Sequence, residues 1–481
     1  MGDASNTTKP HVAALASPGM GHLIPLLEFA KHLVTNHGVH VSFLVVTTQS
    51  SAAQRRHLDS TALPNDLHVV NLPQADVSSV ITPDMPLLTR LSLLCRESVK
   101  PLGSIFEQIS FPRALIIDNF MSDALDICEE LKVPVYTFYT SPPKVLALGL
   151  YLPKLDKEVE CEFVDLPNGS IQVPGCRPLC VDDLQDSLRN RKVETYKWNL
   201  HHASRLTMAT GIFVNSWDDL ESKSCWFNGL KSDPYYQSLP VPRIYPVGPL
   251  IKHDEPVSRS DAYILSWLDN EPCDSVLFVA LGSGGTLTKE QLTELAIGLE
   301  MSKQKFILVA RKPSDMDAAG TYFNAGSNVD DPKTYLPEGF LERTAGVGLV
   351  VPSWAPQVPV LRHKATGGFL SHCGWNSSLE SIVHGVPMIA WPLFAEQRMN
   401  ATLLTEEVAV AVKPVGELQD GRKVVRREEV ERVVRLVLQG EEGKVMRNRM
   451  RELKDSAAKA LEQGGSSYDS VSCVVKTWKQ A

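Results

Sequence analysis

Short apolar runs alternate with amphipathic stretches along this chain, and the alternation runs through twice. In the first half, apolar runs at 11–17, 39–47, 67–72, 114–118, 133–139 and 211–215 are too short for helices and predict buried parallel strands, with 211–215 closing the set. A helix is predicted over about 21–37. The stretch 150–191, rich in proline and acidic residues, reads as an irregular surface excursion. A polar run, IKHDEPVSRSD at 251–261, reads as a linker. Beyond it the alternation restarts with a strand at 275–282, a helix at 289–302 and strands at 306–310, 348–352, 367–371 and 387–391. A last helix, 466–479, carries apolar Val471, Val474, Val475 and Trp478. The pattern predicts an α/β chain with two doubly wound domains.

Polar and aromatic groups gather where these strands end, most densely over 354–397, WAPQVPVLRHKATGGFLSHCGWNSSLESIVHGVPMIAWPLFAEQ. After the strand 367–371, His372-Cys373-Gly374-Trp375 reads as a tight turn, and Asn376-Ser377-Ser378 as N-cap chemistry for a helix over 379–384 that Gly385 ends. The free amides of such a helix attract a phosphate, and His372 and Ser377 add side-chain donors at the same point. Glu380, four residues after Asn376, shares its helix face and can accept from a ribose diol. Trp354 and Gln357, past the strand 348–352, offer a ring for a base to stack on and an amide to pair with it. Glu396 and Gln397 lie just past the strand 387–391. Strand carboxyl ends are where open α/β sheets bind ligands. His22 sits at the start of the first helix, also at a strand end; on spacing alone it reads as an ordinary helical histidine more readily than as a base.

The segment 354–397 resembles, without a gap, the plant secondary product glycosyltransferase box of plant UDP-sugar-dependent glycosyltransferases. Ser17-Pro18-Gly19-Met20-Gly21-His22, Tyr245-Pro246-Val247-Gly248-Pro249-Leu250 and Leu281-Gly282-Ser283-Gly284-Gly285-Thr286 look like members of the same family. The texture is similar to phenol-type glucosyltransferases acting on hydroquinone, monolignols, chlorinated phenols or anilines, and to indoxyl glucosyltransferases. The resemblance implies a GT-B fold, with an acceptor-binding domain at 1–250, the linker at 251–261, a UDP-sugar-binding domain at 262–465 and a helix at 466–481 crossing back to the first domain. It further implies that His22 is the base that deprotonates the acceptor and that Asp118 holds its imidazole. In that family the position of Trp354 stacks on uracil, Gln357 contacts base or ribose, and Glu380 takes the ribose hydroxyls. Those of His372, Asn376 and Ser377 contact phosphates, and those of Trp375, Glu396 and Gln397 the sugar, with the terminal glutamine favouring glucose. Ser283, in the second glycine loop, adds a hydroxyl near the diphosphate. The implied reaction is a single in-line displacement giving a β-glucoside, with UDP-glucose as co-substrate and no metal.

Composition narrows the rest. A chain of 481 residues, 43% hydrophobic and 22% charged, is long enough for two or three domains. A net charge of −8 argues against a nucleic-acid partner. No apolar stretch approaches the roughly 20 residues that cross a bilayer, and no basic-then-apolar leader opens the chain, so the expectation is a cytoplasmic monomer without membrane insertion. Nine scattered cysteines then read as reduced thiols. A dehydrogenase would want GxGxxG after a strand, and neither glycine loop supplies it. Asp315-Met316-Asp317 matches the metal-binding Asp-x-Asp pattern literally, but lies in a long polar segment and is set aside as chance. The acceptor walls are the weakest reading: Met85, Leu87, Asn119, Phe120, Leu148 and Phe394 are assigned by position, and their apolar character suggests a small flat aromatic acceptor. A non-catalytic sugar-nucleotide binder on the same scaffold is the alternative, against which both His22 and Asp118 stand.

Overall fold

The computed structural model describes residues 9–82, 84–221, 225–240, 242–252, 257–259, 261–314, 331–419 and 422–480. The first half builds a sheet from β1 (His11–Ala16), β2 (His40–Val45), β3 (Leu67–Asn71), β4 (Leu115–Asp118), β5 (Val135–Tyr139), β6 (Gly211–Val214) and β7 (Arg243–Pro246), in the spatial order β3-β2-β1-β4-β5-β6-β7. The second half builds one from β8 (Val276–Ala280), β9 (Lys305–Ala310), β10 (Gly348–Pro352), β11 (Thr366–Ser371), β12 (Met388–Ala390) and β13 (Ala411–Val412), in the order β10-β9-β8-β11-β12-β13. All the ladders in both sheets are parallel. In each sheet the winding reverses beside its first strand, between β1 and β4 and between β8 and β11, which opens a crevice beyond the carboxyl ends.

Period-two burial explains why these runs are strands. Val12, Ala14 and Ala16 of β1 enter one core while Ala13 and Leu15 enter another on the opposite face. In β8 the same split sends Val276, Phe278 and Ala280 one way and Leu277 and Val279 the other. Both faces are covered by helices, so the strands read as unbroken apolar runs. The first helix, Met20–His37, ends at Gly38, whose φ of 65° and N–H bond to the Leu33 carbonyl close it.

Three features depart from the sequence expectations. The run 211–215 does not close the first sheet: β7 adds an edge, and its half-exposed Arg-Ile-Tyr-Pro lacks the apolar signature of a buried strand. β13 likewise extends the second sheet with only two residues. The stretch 150–191 is not a loose excursion. The helix Pro143–Glu158 runs into it, and Phe163, Ile171, Val173, Leu184 and Leu188 are buried in a third core, because apolar residues without a period can still fill a wedge between turns.

The C-terminal helix, Ser466–Gln480, buries Val471, Val474, Val475 and Trp478 in the core of the first half. Further ties join the halves: Trp375 Nε1 donates to the Asn215 carbonyl at 2.8 Å, and a buried Lys144–Glu407 ion pair spans 3.2 Å. Of the segment 251–261, Ile251 is buried in the second-half core and 253–256 and 260 lie outside the described residues. Among the described residues no helix is long and apolar enough to cross a membrane.

Candidate active site

The strand ends of both sheets converge on one cleft of about 580 Å³. Gly21, His22 and Asn119 reach it from the first half, and Ser283, Trp354 and His372 from the second. His22 enters the cleft because β1 turns directly into the first helix through Gly19, whose φ of 111° disfavours any side chain. Its Nδ1 lies 2.8 Å from Asp118 Oδ2 and 3.2 Å from Thr140 Oγ1. Asp118, fully buried at the end of β4, also accepts the Phe120 backbone N–H on Oδ1 at 3.1 Å. A carboxylate can only accept, so the network assigns the ring proton to Nδ1 and leaves Nε2 as the basic nitrogen. The Phe120 ring packs beside the imidazole at 5.0 Å between centroids. Burial alone would lower the His22 pKa, but the Asp118 charge, its hydrogen bond and the Glu396 carboxylate together raise it above the usual value. Glu396 belongs to the other half of the molecule, so its influence marks how closely the two walls approach.

The opposite wall is built from glycines and a helix end. After β11 the chain turns at 372–374 into the helix Trp375–His384, with Gly374 as N-cap and no side chain capping it. Asn376, Ser377 and Ser378 are therefore first-turn residues and not the caps that their types suggested, because Gly374 already adopts the capping backbone. Gly374, Asn376 and Ser377 border the cleft, so the uncapped first-turn amides are placed for an anion. The His372 imidazole is slotted between two glycines: a Cβ on Gly282 or on Gly374 would come within 2.4 Å of its Nε2. Burial, then the charge of Arg311, lowers its pKa to about 4, so it is neutral near pH 7. Its Nδ1 is buried and meets no hydrogen-bond partner among the described residues.

Among the remaining donor-side candidates, Gln357, Ser377 and Glu380 form one connected patch. Gln357 starts the short helix Gln357–Arg362, and its Nε2 donates to Ser377 Oγ at 2.9 Å and to Glu380 Oε2 at 2.5 Å. Trp354 is 40% exposed at the rim, a flat ring open to stacking. Gln397 begins the helix Gln397–Thr402; its Oε1 accepts from the Leu393 and Phe394 amides at 2.9 and 3.0 Å, which fixes the side-chain amide at the cleft. Glu396 Oε1 accepts from Asn400 at 3.3 Å. Trp375 stands apart, since its ring is buried in the second-half core although the residue borders the cleft. Asn376 Nδ2 donates to the Gly21 carbonyl at 2.8 Å, directly joining the helix Trp375–His384 to the first turn of the helix that carries His22.

Leu87, Asn119, Phe120, Leu148 and Phe394 all line the cleft, and Met85 does not. Met85 precedes the helix Leu87–Val99, and Pro86, Leu87, Leu88 and Leu91 form the wall there instead. Two polar residues were missed by sequence reasoning, Thr140 against His22 and Arg311 beside His372. Each directly follows a strand, β5 and β9, so the strand-end rule applied to Glu396 and Gln397 would have found them. Among the described residues no cluster of three or more His, Cys, Asp or Glu is arranged to hold a metal; Asp315 to Asp317 lie outside the described residues.

Comparison with known proteins places this geometry in context. The profile of the family described as UDP-glucoronosyl and UDP-glucosyl transferase matches residues 252–450. The chain is 47% identical to UDP-glycosyltransferase 72B1 of Arabidopsis thaliana over 98% of its own length and 96% of the relative's. It is 44% identical to the hydroquinone glucosyltransferase of Rauvolfia serpentina, covering 98% of each. Among solved structures, it resembles a UDP-glucosyltransferase from Polygonum tinctorium capable of glucosylating indoxyl, in complex with 3,4-dichloroaniline. That likeness has a TM-score of 0.86 and 42% identity over 98% of this chain and 99% of the other. The architecture shared with such structures is GT-B.

Proposed function

The chain belongs to the UDP-glucoronosyl and UDP-glucosyl transferase family, as a UDP-glucose-dependent glycosyltransferase of the phenol type, and on that premise we propose that it transfers glucose with inversion to the hydroxyl of a small aromatic acceptor. Hydroquinone, other simple phenols, monolignols and indoxyl are the expected acceptors, with aromatic amines as alternative nucleophiles. The observation that carries this reading is the His22–Asp118 pair at 2.8 Å, facing the uncapped helix end at Asn376 and Ser377 across a single cleft.

In the proposed reaction the acceptor O–H gives its proton to His22 Nε2 as its oxygen attacks the anomeric carbon. The bond from that carbon to the diphosphate breaks on the opposite side, and UDP leaves with the bonding pair. Because UDP-glucose carries an α bond, one in-line attack gives a β-glucoside, without the second carboxylate of a glycosidase. Asp118 fixes the Nδ1–H tautomer and stabilises the imidazolium that forms. The first-turn amides with Ser377, and neutral His372 as a hydrogen-bond donor, receive the charge that develops on the leaving diphosphate. Trp354 and Gln357 hold the base, Glu380 the ribose hydroxyls, and Glu396 and Gln397 the sugar. These groups leave no step that requires a metal, so exhaustive EDTA treatment is expected to leave turnover unchanged; a loss restored by magnesium or manganese overturns that part. The reading as a whole is tested by incubating the protein with UDP-glucose, UDP-galactose and UDP-glucuronate against phenols, indoxyl, anilines and flavonoids, and weighing the products. A mass gain of one hexose on phenols from UDP-glucose is expected, and no transfer from any donor contradicts it.

A further inference from the structure

Arg311 is a cation that meets no anion among the described residues, in a cleft that is read as receiving one. It follows β9, lines the cleft and is partly buried. Its Nε donates to the Ser353 carbonyl and its Nη1 to the Gly285 carbonyl, each at 3.1 Å. Among the described residues, no carboxylate lies within ion-pair distance of it. One guanidinium thus clips the end of the glycine loop 282–285 to the turn that carries Trp354, with Ser353 held at φ 60°. Burial lowers the Arg311 pKa to about 10, which still leaves it charged at neutral pH. Its charge also depresses His372, so the two side chains are close enough to interact.

A partly buried charge that meets only carbonyl dipoles carries a desolvation cost, and an incoming anion offsets that cost. We propose that Arg311 is the fixed cation of the donor site, supplying the charge that draws in the diphosphate and steadies it as UDP departs, while its two hydrogen bonds hold the loops on either side. This rests on the reading that the cleft binds a UDP-sugar, and it gives that site a permanent positive charge where metal-dependent transferases use an ion. Arg311 acts here through its charge, so its loss is expected to weaken phosphate-bearing ligands and to spare the nucleoside.

The test is calorimetric titration of UDP and of uridine into the wild type, Arg311→Gln and Arg311→Lys. In Arg311→Gln the affinity for UDP is expected to fall by about tenfold or more while uridine changes by less than about threefold; Arg311→Lys is expected to retain most of the preference for UDP. In the lysine variant that preference is further expected to decline as pH rises and the buried ammonium titrates, a decline absent from the wild type. Unchanged UDP affinity in Arg311→Gln, or equal weakening of both ligands, overturns the proposal in favour of a purely structural clip. If the glutamine variant does not fold, a pH-independent preference in Arg311→Lys overturns it alone. A wild type that binds neither UDP nor uridine contradicts the proposed function itself.

Discussion

The two walls of the cleft are built by opposite means. The wall of the second half is local and polar: one turn and helix, with Gln357 bonded to both Ser377 and Glu380 and with His372 gripped by Gly282 and Gly374. The wall of the first half is dispersed and mostly apolar, drawing Leu87, Phe120, Leu148 and Leu188 from separate elements. Its polar groups include the His22–Asp118–Thr140 group, the Gln185–Asn199 hydrogen bond at 3.2 Å and His202. Hydrogen-bonded walls reject ligands that leave a partner unpaired, whereas apolar walls discriminate by only about 1–3 kcal/mol per methylene. The donor is therefore expected to be narrowly specified and the acceptor broadly tolerated.

The sharpest way to break this contrast is at the His22–Asp118 pair. His22→Ala is expected to reduce O-glucosylation by about 10²- to 10⁴-fold while UDP-glucose binding stays nearly intact, measured by steady-state kinetics beside calorimetry; retained turnover removes His22 as the base. Next in size is the donor wall. Glu380→Ala removes a charged acceptor and one of the two bonds that hold Gln357, so KM for UDP-glucose is expected to rise by about 10- to 100-fold with the acceptor KM little changed. Smallest is the apolar wall: Leu87→Ala is expected to reorder a panel of phenols by no more than about tenfold and to leave the UDP-glucose KM alone. An acceptor preference that collapses by orders of magnitude in that variant would mean that the first half specifies its ligand as tightly as the second.

The same contrast explains what the sequence revealed. The donor wall was legible because its chemistry is contiguous: a strand, a turn and a helix within 354–397 bring His372, Asn376, Ser377 and Glu380 together by local geometry alone. Even there the capping reading of Asn376 to Ser378 was displaced by Gly374, since a glycine backbone can take the N-cap without a side-chain oxygen. The acceptor wall needed tertiary information. Nothing in the spacing of Leu188 or Val145 announces that both face one cleft, and Met85 shows how the residue next to the wall at Pro86 still misses it. β7 and β13 were hidden for a different reason, being edge strands too short or too exposed to carry a buried pattern.

The account turns on His22 acting as a base whose pKa is held up by Asp118, and the pH dependence of kcat/KM for a phenol whose own hydroxyl titrates well above the range tests this most directly. The proposed base acts only when neutral, so in the wild type activity should fall as pH drops through a pKa lying above the ordinary histidine value. Removing the carboxylate charge with Asp118→Asn removes the main force raising that pKa against burial. The acidic limb should therefore move to lower pH, on top of a drop in the plateau rate. A limb that stays in place in Asp118→Asn, or one that persists unchanged in His22→Ala, would contradict the assignment of the pair.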